Sequence, residues 1–504
     1  MCRIPNYFLV GNKEGGVKFI WRICMCDVKS EINKCVLCFD APCKKMYEGI
    51  DPERVIRSLK FDNIKGASSL IYGKNLNKIC DGKCPLNVDI DKILESINSK
   101  KYNFDDIDIT TSICGIKLEN PFLLSSSTVS STYDMCKKAL ESGFAGVVFK
   151  TICPFDIHET SPRFSALKDN NNSFIGFKNI EQLSKHTLEE DCEILERLKK
   201  EFPNKVIIAS IMGRNEKEWE YVSLKVSETG CDAIELNFSC PNMELGGTGI
   251  DVGQDPYAVR RYTKAAKRGT NLPLIAKLTP NITDITVPAK AAMEAGASGL
   301  SAINTIKSIT GVDLESFVPQ PDVNGKSSLG GYSGRAVKPI ALRYVSELAN
   351  DSNLNIDISA IGGIYTYKDA LEFLLLGSSN VQLTTAIMEY GYRVVDDLIL
   401  GLKIFMCEND FKKISDFTGL SKKCMVSLDN LERDTILYPK FNYDKCIKCG
   451  RCFISCFDGG HQAIKFDVND RKPILDTSKC VGCHLCKLVC PFDAISVAKK
   501  RVIK

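Results

Sequence analysis

Short apolar runs alternate with amphipathic stretches between residues 106 and 401. The apolar runs have the length of buried strands. They occupy residues 121–125, 146–150, 206–211, 233–237, 273–277, 299–303, 356–360 and 381–384. Stretches with helical periodicity separate them, at residues 133–141, 188–200, 216–228, 257–268, 287–295, 340–348 and 367–376. Eight such units predict an α/β fold of the (β/α)8 TIM barrel type.

A doubly wound parallel sheet is the alternative for this segment. No Gly-x-Gly-x-x-Gly motif follows any predicted strand, so a dinucleotide-binding sheet has no support. We divide the chain into an N-terminal domain (1–104), the barrel (105–401), a connector (402–437) and a C-terminal domain (438–504). The N-terminal domain is rich in Lys, Asn and Cys, and residues 52–70 and 88–99 have helical patterning.

Composition narrows the functional class. The chain has 504 residues, 44% hydrophobic and 25% charged, and its net charge of +4 is too small to indicate nucleic-acid binding. No run approaches the roughly 18 apolar residues of a membrane span. The apolar patch at residues 7–10 is too short for a signal peptide. We expect a cytoplasmic protein that binds neither nucleic acid nor membrane.

Eight of the 24 cysteines lie between Cys446 and Cys490. They form two copies of the bacterial ferredoxin run, in which each run gives its last Cys to the other [4Fe–4S] cluster. The predicted ligand sets are Cys446, Cys449, Cys452 and Cys490 for one cluster, and Cys480, Cys483, Cys486 and Cys456 for the other. Structural zinc is the alternative, but zinc uses four ligands and usually spaces them in pairs. Two [4Fe–4S] clusters in a ferredoxin-like domain are the prediction.

Polar residues crowd the end of the fourth predicted strand, in Asn237-Phe238-Ser239-Cys240-Pro241-Asn242. In a TIM barrel the carboxyl ends of the strands face the active site. This motif resembles the catalytic loop of the class 1 dihydroorotate and dihydropyrimidine dehydrogenases. The resemblance implies that Cys240 is the general acid/base, a role that suits a thiol because it can give up and recover a proton near neutral pH. Cys153, Cys192 and Cys231 lack such polar neighbours and are interpreted as structural.

The same resemblance implies which other strand-end residues bind FMN and substrate. The implied FMN-binding residues are Ser125, Ser126, Lys150, Thr151, Asn237, Lys277, Gly334, Gly362, Gly363, Thr384 and Thr385. The implied pyrimidine-binding residues are Asn179, Glu181, Asn237, Ser239, Asn304 and Thr305. A buried ammonium suits the negative charge of a reduced flavin, and side-chain amides suit the alternating N–H and C=O groups of a uracil ring.

Cysteines also punctuate the N-terminal domain, which resembles the first part of the iron–sulfur domain found in longer dihydropyrimidine dehydrogenases. That domain carries two clusters with crossed ligands. Tyr47 replaces one expected Cys, and two more are missing around residues 73–77. The resemblance therefore implies one remaining cluster, with Cys80 left over. Its predicted ligands are Cys35, Cys38, Cys43 and Cys84. The alternative is that these thiols bind zinc or nothing.

The barrel followed by the ferredoxin-like domain is similar to the FMN and iron–sulfur subunits of bacterial NAD-dependent dihydropyrimidine dehydrogenases. The resemblance implies reversible reduction of uracil or thymine to the 5,6-dihydropyrimidine, with electrons supplied by an FAD/NAD(H)-binding oxidoreductase subunit. We also expect an oligomer. Two alternatives remain: a class 1 dihydroorotate dehydrogenase, and an electron-transfer module with a degenerate barrel.

Overall fold

The computed structural model describes residues 25–80, 84–243, 248–499 and 502–503. The apolar patch at residues 7–10 lies outside these ranges. The chain forms two compact units, Met1–Lys423 and Cys424–Lys504. No helix in the described part of the chain is long and apolar enough to cross a membrane.

Eight parallel strands close into a barrel in the first unit, which confirms the predicted fold class. Each predicted apolar run overlaps one of them. In chain order the strands are Phe122–Leu124, Gly146–Ile152, Val206–Ile211, Ala233–Asn237, Leu274–Lys277, Gly299–Ala302, Asp357–Ile361 and Asn380–Leu383. Nearly all their residues are buried, as expected for strands covered by helices outside and by packed side chains inside.

Helices pack around the barrel at the predicted places. They are Tyr133–Ser142, Leu188–Glu201, Glu216–Ser227, Pro256–Arg268, Thr286–Glu294, Lys338–Asn350 and Tyr367–Leu375, with shorter helices at Ile250–Gln254 and Thr385–Tyr390. One more helix, Val394–Glu408, crosses the barrel boundary that the sequence placed at residue 401. Its buried Leu398, Leu402 and Met406 belong to the barrel core, so the barrel extends beyond that boundary.

A four-stranded antiparallel sheet, which the sequence analysis does not predict, lies beside the barrel. Its strands are Ile306–Ser308, Gly330–Ser333, Phe174–Asn179 and Phe164–Lys168, in that order. Gly176 is required here, because a Cβ on it would lie 1.7 Å from the Tyr332 hydroxyl oxygen. The sheet matters for function because Asn179 ends one strand and Gly334 follows another. A short hairpin, Thr111–Ile113 and Ile116–Leu118, precedes the first barrel strand.

The N-terminal domain is helical, with helices Met25–Lys34, Pro52–Lys60, Ile64–Leu70 and Ile90–Glu95 and a 3₁₀ turn at Pro42–Lys45. The predicted helical stretch 52–70 is divided in two because Asp62 adopts a positive φ and the Asn63 side chain caps the next helix. The domain contacts the helix Val394–Glu408 of the barrel through buried Arg57, whose Nε donates to Asp397 at 2.6 Å.

The second unit contains a helix at Arg451–Gly459, a single helical turn at Leu485–Leu488 and three two-stranded sheets. The strand pairs are Pro439–Phe441 with Ile495–Val497, Ile464–Asp467 with Lys472–Leu475, and Thr435–Ile436 with Val502–Ile503. Five cysteines lie in or beside a small apolar core formed by residues such as Ala463, Ile464 and Ile495. Because this apolar core is small, the cysteines make up a large share of the interior of the unit.

Candidate active site and cysteine clusters

A cavity with about 1030 Å³ of empty space, part of it open to solvent, lies at the carboxyl ends of the barrel strands. This is the size of a cofactor site. Every residue predicted to bind FMN or substrate lines it, except Ser239. The predicted lining residues are Ser125, Ser126, Lys150, Thr151, Asn179, Glu181, Asn237, Cys240, Lys277, Asn304, Thr305, Gly334, Gly362, Gly363, Thr384 and Thr385. The strand register therefore brings together residues spread over 260 positions of sequence.

Two buried lysines line the cavity, and each is paired with a carboxylate. Lys277 Nζ lies 3.2 Å from Glu235 Oε1, and Lys150 pairs with Glu181. Glu235 is fully buried and also accepts a hydrogen bond from the Ser301 hydroxyl at 2.8 Å. A polar network thus fills the barrel interior directly below the cavity.

This network fits a flavin ring. Gln382 lines the cavity, and its Nε2 donates to the Ser359 hydroxyl at 2.9 Å. Its Oε1 is buried and has no hydrogen-bond partner among the described residues. A buried acceptor without a partner is costly unless a ligand supplies the donor, and a flavin ring carries an N–H group.

The part of the cavity lined by Gly362, Gly363, Thr384 and Thr385 fits a phosphate. Gly362 and Gly363 follow the strand Asp357–Ile361 with φ of 135° and 73°, and a Cβ on Gly363 would lie 2.8 Å from the Lys338 backbone nitrogen. Only glycine fits such a close approach in this conformation. Thr384 and Thr385 lie at the start of the next helix, where backbone N–H groups lack partners within the helix.

Asparagine side chains form a connected cluster on the substrate side. Asn237 Nδ2 donates to Thr151 Oγ1 at 2.9 Å, and Asn304 Nδ2 donates to Ser239 Oγ at 2.8 Å. Ser239 is fully buried behind this cluster and does not line the cavity. The sequence predicts that Ser239 binds substrate. In the structure its hydroxyl group is hydrogen-bonded to Asn304 and Asn237 and orients their side chains. The Ser239 backbone N–H donates to Asn237 Oδ1 at 3.2 Å, which holds Ser239 against the end of the strand.

Sequence analysis gives no role to Asn242 and Thr128, although both line the cavity. Asn242 Nδ2 donates to Asn179 Oδ1 at 3.1 Å and to the Glu181 carbonyl at 2.7 Å. The Thr128 hydroxyl donates to the Glu181 carboxylate at 2.7 Å. Asn242 could have been found, since it closes the predicted motif. Its contacts with Asn179 and Glu181 could not, because these two residues lie at the end of a strand in the unpredicted sheet and just after it.

Cys240 lines the cavity and is buried, with 6% of its surface exposed. The Ile250 N–H donates to its carbonyl at 3.1 Å, and Gly249 packs against that carbonyl with φ of 55°. Burial raises the pKa of the Cys240 thiol to about 11, although the Asn242 backbone N–H and the two cavity lysines oppose this. Cys240 is therefore a protonated thiol at neutral pH, the form that an acid requires.

Two cavities in the C-terminal unit contain the predicted crossed sets of cysteines. Cys446, Cys449, Cys452 and Cys490 line one, and Cys456, Cys480, Cys483 and Cys486 line the other. Nowhere in the described ranges are three or more His, Cys, Asp or Glu side chains arranged to hold a single metal ion. Four thiols around an apolar space fit a cluster of several irons, whereas the zinc alternative requires a tight tetrahedron.

A third cavity of the same kind lies in the N-terminal domain. It has about 390 Å³ of empty space, against about 400 and 330 Å³ for the C-terminal pair. Cys35, Cys38, Cys43 and Cys84 all line it. Cys80 does not: its side chain is exposed, and its Sγ donates to the Lys45 carbonyl at 2.9 Å. The structure thus brings together the four cysteines predicted as ligands and separates the fifth.

Tyr47 stands where the resemblance to longer dihydropyrimidine dehydrogenases implies a Cys ligand. The Tyr47 ring is buried in the core of the domain, its hydroxyl donates to Asp91, and Asp91 pairs with Lys78. Tyr47 and Lys78 also form a β-bridge. A packed aromatic ring that contacts an ion pair therefore stands where the resemblance implies a thiol.

Cys84→Ser and Cys80→Ser form a matched pair for testing the N-terminal site. With four irons in each of three clusters, anaerobically purified protein should contain about twelve irons per chain. Cys84→Ser should lower this toward about eight, because it removes a cavity-lining thiol. Cys80→Ser should leave it unchanged. Iron analysis that shows no loss in Cys84→Ser, or an equal loss in both variants, would reject the assignment.

Comparison with known families and proteins agrees with this architecture. The dihydroorotate dehydrogenase family matches residues 108–406, and the 4Fe-4S dicluster domain matches residues 440–497. The chain is 50% identical over 398 residues to the NAD-dependent dihydropyrimidine dehydrogenase subunit PreA of Escherichia coli K12, covering 79% of this chain and 97% of that protein.

Two further relatives match a smaller share of the chain. It is 39% identical over 327 residues to the chloroplastic dihydropyrimidine dehydrogenase (NADP(+)) of Arabidopsis thaliana, covering 62% of this chain and 77% of the relative. It is also 39% identical over 320 residues to the catalytic subunit of dihydroorotate dehydrogenase B (NAD(+)) of Pyrococcus furiosus, covering 62% of this chain and 99% of the relative.

The family match spans more than half of the chain, and the closed barrel and its cavity agree with it. Family membership implies FMN in the barrel, and the dicluster domain implies iron–sulfur clusters. The resemblance inferred from sequence is therefore confirmed: the chain belongs to the dihydroorotate dehydrogenase family and is an oxidoreductase that carries a C-terminal 4Fe-4S dicluster domain.

Proposed function

We propose that the protein reversibly reduces uracil or thymine to the 5,6-dihydropyrimidine in the barrel cavity. The observation that carries this proposal is the pairing of the cavity lysines. Lys150 and Lys277 are the only cations among the described lining residues, and both are neutralised by carboxylates. Orotate would bring its own carboxylate next to Glu181, and burying an unpaired charge is costly. An uncharged pyrimidine avoids that cost.

The proposed substrate contacts follow from the side chains that line the cavity. Asn179, Asn237 and Asn304 present amide donors and acceptors, and Thr305 lies beside them. Their protein partners fix the amide orientations before substrate binds, which lowers the entropy lost on binding. FMN, when bound, supplies the hydride at C6. Cys240 supplies the proton at C5, since its thiol is protonated and lines the same cavity.

The cysteine cavities support the proposed source of electrons. Eight C-terminal cysteines would hold two [4Fe–4S] clusters, and Cys35, Cys38, Cys43 and Cys84 would hold a third. Such clusters carry single electrons, and no nicotinamide-binding motif follows a barrel strand. We therefore propose an FAD/NAD(H)-binding partner subunit, in line with the PreA relative, which is named as a subunit. The cavity is lined by the residues expected to bind FMN and substrate. This disfavours the alternative of an electron-transfer module with a degenerate barrel.

Purified alone, the protein should form dihydrouracil from uracil with a strong artificial one-electron donor such as reduced methyl viologen. NADH should not replace that donor, because the nicotinamide site is assigned to the partner. Product formation is measured by chromatography under anaerobic conditions. NADH-driven turnover of the isolated chain at the rate of the artificial donor would refute the partner assignment. Absence of dihydrouracil with either donor would refute the proposed reaction.

The raised pKa of Cys240 predicts opposite pH responses for the two directions. Below about 11 the thiol keeps its proton, so the first turnover of uracil reduction by protein with reduced flavin should have a level rate from about pH 6 to about pH 9. Oxidation of dihydrouracil needs the thiolate and should rise about tenfold per pH unit over that range. First-turnover rates of reduction and initial rates of oxidation check this. A fall in the reductive rate near pH 8 would contradict the assigned acid.

A further inference from the structure

Glu159 lies behind the cavity wall in the loop that follows the strand Gly146–Ile152. Its Oε1 accepts a hydrogen bond from the Gln182 backbone N–H at 2.7 Å. Its Oε2 is buried and has no hydrogen-bond partner among the described residues. Gln182 and Glu181 line the cavity that contains Cys240. The Glu159 carboxyl group is thus hydrogen-bonded to the backbone of the wall itself.

The two carboxyl groups in this region have opposite environments. Burial tends to raise the pKa of Glu181, but Lys150 and the Thr128 hydroxyl outweigh it, so that its pKa is lowered. Glu159 forms no ion pair with any described residue. Burial, reinforced by the charge of Glu181, raises the pKa of Glu159, against the influence of the Gln182 N–H, Lys150 and Arg163. Neighbouring carboxyl groups whose pKa values are shifted in opposite directions commonly divide acid and base roles.

The proposed reaction requires a proton source of this kind. When the Cys240 S–H bond breaks and the C5–H bond forms, a thiolate remains on a residue of which only 6% of the surface is exposed. Lys150, Glu181, Lys277 and Glu235 are held in ion pairs. No histidine occurs among the described residues that line the cavity. Glu159 is hydrogen-bonded to the wall residue Gln182, its charge acts on the Cys240 thiol, and its Oε2 has no hydrogen-bond partner among the described residues.

We propose that Glu159 supplies the proton that restores the Cys240 thiol after each reduction; this rests on the proposed function. The Glu159 O–H bond breaks as the Cys240 S–H bond forms, and the electron count is unchanged. The resulting carboxylate regains a proton from solvent, because the residue is partly exposed while Oε2 is buried. Glu159 acts through Cys240 and does not touch the substrate.

Glu159→Gln tests the role with little change in shape, because an amide oxygen can still accept from the Gln182 N–H. With the flavin reduced beforehand, the first turnover should match the parent, since Cys240 already carries its proton. Later turnovers should slow by about tenfold or more, the scale of a lost proton donor. The result is a burst of one dihydrouracil per flavin, and acetic acid in the buffer should speed the slow phase.

Glu389→Gln is the matched control. Glu389 Oε1 also accepts a backbone N–H, from Phe174 at 3.0 Å, and its Oε2 is also buried without a partner among the described residues. This variant should show no burst. A Glu159→Gln variant with the steady-state rate of the parent would overturn the proposal, and so would a slow phase that does not respond to acetic acid.

Alkylation of Cys240 gives a second readout that does not depend on turnover. The charge of Glu159 contributes to the raised pKa of Cys240. Glu159→Gln should therefore shift the pH profile of Cys240 alkylation, followed by peptide mass spectrometry, toward lower pH. An unchanged profile would overturn the proposal even if the parent protein failed to reduce uracil. Failure of the proposed function and failure of this inference are therefore distinguishable.

Discussion

Cys240→Ala should lose about 10²-fold or more of its uracil-reducing activity while it keeps its flavin and iron. The side chain is small, and the main contacts of its loop are made by backbone groups, such as the Ile250 N–H that donates to the Cys240 carbonyl. Substrate binding should survive, because Asn179, Asn237 and Asn304 hold the ring. Steady-state turnover, flavin absorbance and iron analysis of the same preparation measure all three effects.

Cys240→Ser is the companion to this variant. A hydroxyl is a far weaker acid than a thiol, so serine should restore little of the lost activity. Full activity in Cys240→Ala with the pH profile of the parent would remove Cys240 from the mechanism. Ser239 would not be a simple replacement, because it is fully buried behind the amide cluster and does not reach the cavity.

Lys277→Met should abolish flavin binding and destabilise the barrel. Lys277 pairs with Glu235, which is fully buried, so the substitution leaves an uncompensated carboxylate in the interior. Breaking a buried pair in this way costs about 3–5 kcal/mol. Flavin content after purification and the midpoint of urea unfolding are the two measurements.

The double variant Lys277→Met with Glu235→Gln separates stability from flavin binding. Removing both charges should recover much of the free energy of unfolding, since the amide at position 235 can still bond with the Ser301 hydroxyl. Flavin binding should not return, because the ammonium is still missing. A double variant that binds FMN like the parent would show that Lys277 has only a structural role.

The barrel could be predicted from sequence because each of its strands is a continuous apolar run bounded by polar residues. The site could be predicted because family resemblance assigned residues to strand ends, and the closed register then placed them around one cavity. The crossed cysteine sets were predictable for a similar reason. Their spacing identifies the ligands of each cluster without any three-dimensional information.

Sequence could not reveal the features that depend on long-range pairing. The strand Phe174–Asn179 pairs with Gly330–Ser333, about 150 residues away, and short strands of mixed polarity carry little periodic signal. The contact of Asn242 with Asn179 depends on the position of that strand. The break between the helices Pro52–Lys60 and Ile64–Leu70 was missed because Asp62 adopts its positive φ within a locally helical pattern.

Reoxidation of the reduced flavin on anaerobic mixing with uracil or with orotate distinguishes a dihydropyrimidine dehydrogenase from a dihydroorotate dehydrogenase. Both cavity lysines are already paired and Glu181 lies on the wall, so uracil should restore the oxidised flavin spectrum rapidly and orotate should not. Rapid reoxidation by orotate with no response to uracil would contradict the account and identify the protein as a dihydroorotate dehydrogenase.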